Sequence, residues 1–121
     1  MATRKNKTLP EVNFSDYGDT RYLHLGTPWV QGSMKIDKPF DIDLEYVQRM
    51  MAWLLFTNIE QVNQRHAMQL GLGAAALTKF CHKHLRMHTT AIELNPQVVA
   101  KIKTSRSTKR SPAKLAMMTK A

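Results

Sequence analysis

Between residues 11 and 99 the apolar and polar positions change period several times, and each change marks an element. Residues 20–25 (TRYLHL) and 29–36 (WVQGSMKI) have strand character, with Gly26-Thr27-Pro28 as the turn between them. Leu23 and Leu25 alternate with Tyr22 and His24, which predicts a ribbon with one covered and one wetter face. The period then lengthens. Leu44, Val47, Met50, Met51, Leu54 and Leu55 recur at steps of three and four, predicting a helix that runs to about residue 56 and is capped by Asp41 or Asp43. Residues 58–64 read as a polar connection into which Val62 packs. Next comes a short apolar run at 67–70, a turn at Gly71-Leu72-Gly73, and a helical stretch over 74–85 with Ala76, Leu77, Phe80 and Cys81 on one side. A partly β-branched run at 89–94 follows, and Asn95-Pro96 supplies a cap and a first helical residue. The last five elements form one strand-turn-helix-strand unit and the start of a second helix.

The turn in that unit carries the candidate chemistry. Glycine lacks Cβ, so it can adopt strained backbone angles and lets a ligand lie against the main chain at a helix N-terminus. Gly71-x-Gly73-x-x-Ala76 fits the dinucleotide fingerprint in its form with alanine third, and Glu93 stands 22 positions beyond Gly71, near the spacing at which a carboxylate meets a ribose hydroxyl. The competing reading is plainer: the glycines serve tight helix and strand packing, and Glu93 ends a strand facing solvent.

Composition changes this picture less than the net charge of +9 suggests. Seven bases and no acid fall in residues 101–121, and Arg4, Lys5 and Lys7 lie in the first ten, so residues 11–100 carry eight bases against nine acids. The domain is neutral and its ends are basic. No aromatic residue is interleaved with the C-terminal bases, so stacking on single-stranded nucleic acid is not expected and specific nucleic-acid binding is not favoured. An apolar content of 43% in 121 residues permits one domain with a small core. Cys81 has no second cysteine to pair with and reads as a reduced, packed thiol. His82 and His84 point to different helix faces, and His84 and His88 straddle a helix end, so no metal is expected. The longest apolar run, residues 50–56, is too short to span a bilayer. No secretory leader is visible, and a cytoplasmic protein without membrane contact is expected.

Three blocks in order resemble the N-terminal half of the spermidine synthase-like, polyamine aminopropyltransferase family, which has a methyltransferase-like Rossmann fold. They are Trp29-Val30-Gln31-Gly32-Ser33-Met34 after a β region, Glu45 to Ala52 (EYVQRMMA), and Gln69 to Ala76 (QLGLGAAA) with Glu93. The resemblance implies that Gln31 contacts a nucleoside, that Gly71 and Gly73 allow its close approach, and that Glu93 binds ribose hydroxyls. It implies decarboxylated S-adenosylmethionine, or S-adenosylmethionine, as substrate, and a polyamine as the second one. Two departures stand out. The alanines 74–76 occupy a loop in which family members carry an aspartate and further glycines, and Gln48 stands near where an acid is expected. The family's catalytic Asp-x-x-Asp region belongs to a C-terminal half with no counterpart in residues 11–99.

The expected fold is therefore α/β: a basic arm (1–10), an N-terminal antiparallel β hairpin or small sheet (11–40), and a partial, truncated Rossmann-like βαβ unit of methyltransferase type (41–100). A disordered or irregular basic tail (101–121), foreign or out of frame, completes the chain, with no strand to continue the parallel sheet. The expected role is nucleoside binding without turnover, with no catalytic residue in this chain. The other readings are a fragment of an S-adenosylmethionine-dependent methyltransferase and a non-enzymatic binding module acting through its basic tail. An open strand edge predicts association into a homo-oligomer.

Overall fold

The computed structural model describes residues 8–104 and 116–119. Three antiparallel strands come first: β1 (Val12–Tyr17), β2 (Thr20–Leu25) and β3 (Gly32–Lys35), in that spatial order. The β1–β2 register places Tyr17 opposite Thr20, and Gly18 turns the hairpin at φ +59°. Arg21 of β2 reaches across to Asp16 of β1 with a bond of 2.7 Å, and its guanidinium holds the Asp16 carboxyl below the usual range. The strand expected over 29–36 shortens to four residues, because the chain after Gly26 is a turn that rejoins β2 only at Gln31, whose N–H donates to the Leu23 carbonyl at 2.8 Å.

The helix expected up to residue 56 is shorter than its pattern. Helix α1 covers Glu45–Arg49, and the chain tightens into 3₁₀ geometry over Met50–Phe56 and again over Ile59–Gln64. Three residues per turn carry Met51 and Leu54 inward and leave Met50, Leu55 and Phe56 exposed, so only part of the predicted stripe is buried. Neither aspartate caps α1. Its N-cap is Leu44, and tertiary partners take both carboxylates: Asp43 accepts from the Ser33 hydroxyl, and Asp41 pairs with His84 at 2.9 Å. Asn58 does act as a cap, accepting from the Glu60 N–H at 3.1 Å, and Val62 is buried as expected.

A parallel sheet follows: β4 (His66–Leu70), β5 (His88–Glu93) and β6 (Ala116–Thr119), in the order β4-β5-β6. Helix α2 (Ala76–Lys83) joins β4 to β5, and α3 (Pro96–Thr104) follows β5. Helix α2 starts two residues later than its composition predicts, because Ala75 sits in the left-handed region at φ +61°. Asn95 caps α3 as expected, accepting from the Gln97 N–H at 3.0 Å.

Two expectations about the C-terminal region are corrected. The domain does not end at residue 100, since α3 continues to Thr104 and buries Ile102 beside Val98 and Val99. The tail is not without a strand either: β6 pairs with β5, from Thr90 opposite Ala116 to Glu93 opposite Thr119. The expected arm ends against the domain, where Asn95 Nδ2 donates to the Pro10 carbonyl at 2.9 Å. Residues 1–7, 105–115 and 120–121 lie outside the described residues.

Two apolar clusters hold the parts together. Val12 and Leu23 of the first sheet meet Leu72, Ala75, Ala91, Val98, Val99 and Ile102, so the N-terminal sheet packs on the glycine turn and α3. Ile42, Met51, Val62, Cys81 and Met87 form the other cluster, beneath the 3₁₀ segments and α2. Burial raises the Cys81 thiol above its ordinary value, in keeping with a packed, unreactive cysteine. Among the described residues no group of three metal-ligating side chains occurs, and no helix is long and apolar enough to cross a membrane.

Among the described residues the parallel sheet is covered on one face. Gln69 bonds to Thr78 of α2, and Ala91 packs against Val98 of α3, so both helices lie on the side of residues 67, 69, 89 and 91. The opposite side presents His66, Met68 and Leu70, with Met68 65% and Leu70 76% exposed. His66 and His88 make an edge contact there with ring centroids 4.4 Å apart, and His66 bonds to the Thr90 hydroxyl at 2.7 Å. Parallel sheets are ordinarily buried on both faces. Concentration-dependent association is therefore expected in sedimentation velocity, and Met68→Lys with Leu70→Lys should shift it toward monomer; a wild-type chain that stays monomeric into the high micromolar range contradicts this.

Gly32 offers a second test. A Cβ at this position would lie 2.6 Å from the Ala74 Cβ, so the first sheet touches the turn where glycine permits it. Gly32→Ala should cost about 1–3 kcal/mol in urea unfolding, as overpacking does, and Ala74→Gly in the same chain should restore much of that loss. Equal losses with and without Ala74→Gly would refute the contact.

Candidate functional site

The site is built where β4 ends and α2 begins. Gly71 and Gly73 have φ of +79° and +53°, and in both cases the position a Cβ would take is open space. Glycine is needed here for its backbone angles, and the space it leaves faces outward. The Gly71 N–H donates to the Ile92 carbonyl at 2.8 Å, extending the β4–β5 ladder by one bond. The Ala75 N–H donates to the Leu72 carbonyl at 2.8 Å and closes the turn.

Beside this turn lies a cavity of about 270 Å³. Gln31, Gly71 and Gly73 all line it, so three of the four expected site residues converge although Gln31 is forty positions from the turn. The first sheet brings Gln31 there through its bond to Leu23, and the Gly32 approach to Ala74 sets the distance. Gln31 is exposed at the rim. Tyr46 and Val47 of α1, with Met50 and Leu77, supply apolar wall, and no Asp or Glu lines the cavity. The alanines 74–76 thus leave this mouth without a carboxylate for a cationic group.

Glu93 stands apart from the other three. It does not line the cavity. Its half-buried carboxylate accepts from the Leu72 N–H through Oε2 and from the Asn95 N–H through Oε1, each at 2.8 Å. The carboxylate therefore ties the glycine turn to the start of α3. Each oxygen keeps a second lone pair.

Several wall residues were not identified from the sequence. Ser33 lies in the wall beside Gln31, and its hydroxyl donates to Asp43, whose other oxygen stands 4.0 Å from Lys35 Nζ. This link ties β3 to the segment before α1, and the short spacing of polar residues after Gly32 was the available signal. Tyr46 and Met50 sit in the EYVQRMMA block, where periodicity read Met50 as core and passed over Tyr46.

Neither a family model nor a solved structure matches the chain. Curated relatives do. Polyamine aminopropyltransferases of Neisseria meningitidis serogroups A and B are each 41% identical over 93 residues, covering 76% of this chain and 34% of the relative. The polyamine aminopropyltransferase of Chromobacterium violaceum is 37% identical over 95 residues, 78% of this chain and 35% of the relative. The chain spans about a third of the length of these relatives, and over that stretch it is similar to the spermidine synthase-like, polyamine aminopropyltransferase family.

Proposed function

We propose that the cavity beside Gly71 and Gly73 holds the nucleoside of decarboxylated S-adenosylmethionine, or of S-adenosylmethionine, and that this chain binds it without turning it over. The observation that carries the reading is the convergence of two positive-φ glycines, open on the side a Cβ would fill, with Gln31 across the same cavity. A nucleoside needs close backbone approach and a few placed polar groups within apolar walls. Gln31 offers both a donor and an acceptor. Glu93 lies outside the cavity wall and serves the site through the turn, by holding the Leu72 N–H from behind. The names of the curated relatives favour this reading over a methyltransferase fragment.

In aminopropyl transfer an amine nitrogen attacks the carbon next to the sulfonium, the carbon–sulfur bond breaks, and methylthioadenosine leaves. The ammonium product must lose a proton to a base. Among the described residues the carboxylates beside Leu44 and Tyr46 of the wall are engaged: Asp41 by His84, Asp43 by Ser33 and Lys35, and Glu45 by Arg49. No acid in the cavity wall would attract a polyamine. Binding of the nucleoside alone is the role these residues support.

Calorimetric titration with methylthioadenosine tests the reading. The wild-type chain should release heat with a saturable isotherm, and Gln31→Ala, at an exposed position, should weaken binding roughly five-fold, the worth of one or two hydrogen bonds, with its unfolding midpoint unchanged. No heat from a sample that melts cooperatively would sink the proposal.

Glu93→Gln tests the hold that this carboxylate has on the turn. The amide keeps one acceptor oxygen and turns an NH₂ toward a backbone N–H, so a loss of about 1–3 kcal/mol in stability is expected, together with weaker nucleoside binding. Unchanged stability would show that the two bonds at 2.8 Å contribute nothing to the fold.

A further inference from the structure

One edge of the parallel sheet is open. In the order β4-β5-β6, β4 pairs with β5 on one side, and among the described residues no strand pairs with it on the other. The Gly71 N–H donates to the Ile92 carbonyl, and backbone groups alternate sides along a strand, so Ala67 and Gln69 also turn theirs toward β5. The N–H and C=O groups of His66, Met68 and Leu70 therefore face away from the sheet. A second cavity, of about 380 Å³, separates β4 from the 3₁₀ segment Met50–Phe56 and is lined by Met50, Trp53, His66, Ala67, Met68 and Leu77. Strand edges are ordinarily guarded by charge, proline or brevity. Here β1 carries Asp16, β3 is four residues ending in Lys35, and β6 is four residues long. β4 has five residues, with no proline and no Asp, Glu, Lys or Arg among them.

We propose that this edge is filled by β4 of a second copy, joined antiparallel about a two-fold axis at Met68. Free ladder groups select an extended strand, and a two-fold relation lets one strand be its own partner. Centred on Met68, the pairing sets Met68 opposite Met68, His66 opposite Leu70 and Ala67 opposite Gln69 of the other copy. Every outward-facing residue then meets an outward-facing one, the arrangement in which antiparallel neighbours exchange both bonds. Moving the centre to Ala67 or Gln69 would carry one outward-facing residue past the end of the facing strand. Charge selects the antiparallel sense as well. Arg65 and His66 start the strand, and a parallel in-register pair would set like side chains together. The antiparallel pair sends the two Arg65 side chains to opposite ends, about 20 Å apart along the strand, beyond a screening length of roughly 8 Å. The interface stands independently of the nucleoside reading, since His66, Met68 and Leu70 do not line the glycine-turn cavity.

Amide hydrogen exchange of the full chain, read by NMR at low and high micromolar concentration beside sedimentation velocity, tests the proposal. As dimer forms, exchange at the Met68 and Leu70 amides should slow by roughly tenfold or more, while Ala67 and Gln69, bonded to β5 throughout, should change little. In a mixture of labelled and unlabelled copies, an NOE between copies should join Ala67 to Gln69. Met68→Pro removes one outward N–H and spares the bonds to β5, so it should weaken dimerisation by about tenfold or more while the melt stays cooperative. Should that variant fail to fold, exchange and the NOE in the wild-type chain decide alone. The proposal is overturned if the wild-type chain stays monomeric into the high micromolar range, or if it associates while the Met68 and Leu70 amides exchange freely, as stacking of bare faces would leave them. Protection without the Ala67–Gln69 NOE, or a folded Met68→Pro chain that dimerises undiminished, overturns it equally.

Discussion

Glu93 sits where the glycine turn, the start of α3 and the end of the N-terminal arm meet. Its carboxylate takes one N–H from the glycine turn and one from the residue that caps α3, and that cap in turn holds the end of the N-terminal arm through Pro10. Three segments distant in sequence are thereby fixed by a few charge-assisted and amide bonds, which act in a half-buried setting where water competes less. The apolar cluster around Leu72, Ala75 and Val98 closes over the same junction. With the turn anchored from behind, its glycines can present their open side forward. A loop with positive φ at Gly71, Gly73 and Ala75 has little regular hydrogen bonding of its own, so its shape has to be imposed by such neighbours.

The same anchoring explains how a first sheet of three short strands comes to serve the site. The β1–β3 sheet has too few residues to bury a core alone. It gains one by laying Val12 and Leu23 on α3 and the turn, and Gly32 allows the backbones to close up at Ala74. Gln31 follows from that packing, since it is the residue before the point of contact. Ligand geometry and fold stability are thus set by one interface, and the weakest part of the architecture lies elsewhere, on the uncovered side of β4 with Met68 and Leu70.

What could be read from the sequence was local. The glycine turn, the β5 strand, the Asn95 cap and the buried Cys81 each follow from a few adjacent residues. Elements decided by distant partners were harder to see. In β1 the alternation of Val12 and Phe14 with Asn13 and Ser15 breaks off at Asp16, too short a pattern to announce a strand. Asp43 has the right spacing for a cap, yet Ser33 and Lys35 of the first sheet compete for it successfully. Helix α3 looks finished at residue 100, because beyond it Ile102 is one buried side chain between two lysines. The strand β6 is four residues long, and its pairing depends on an edge of β5 that only the folded sheet provides. The candidate site divides in the same way: Gly71 and Gly73 were legible from their spacing, and the block around Gln31 from its resemblance, but the duty of Glu93 toward Leu72 and Asn95 is a tertiary fact.

The two cavities meet along Met50, Gln69 and Leu77, and these three residues differ in how they can transmit a change. Gln69 is held by Thr78 on α2, so it is a fixed partition between the cavities. Leu77 is carried by the same helix one residue earlier and moves only with it. Met50 is exposed, unbranched and placed where α1 gives way to 3₁₀ geometry, and its side chain can lean toward either side at small cost. A change in the wall of one cavity would therefore reach the other through Met50 rather than through the strand. Because a flexible side chain stores little strain, such coupling would be weak in energy.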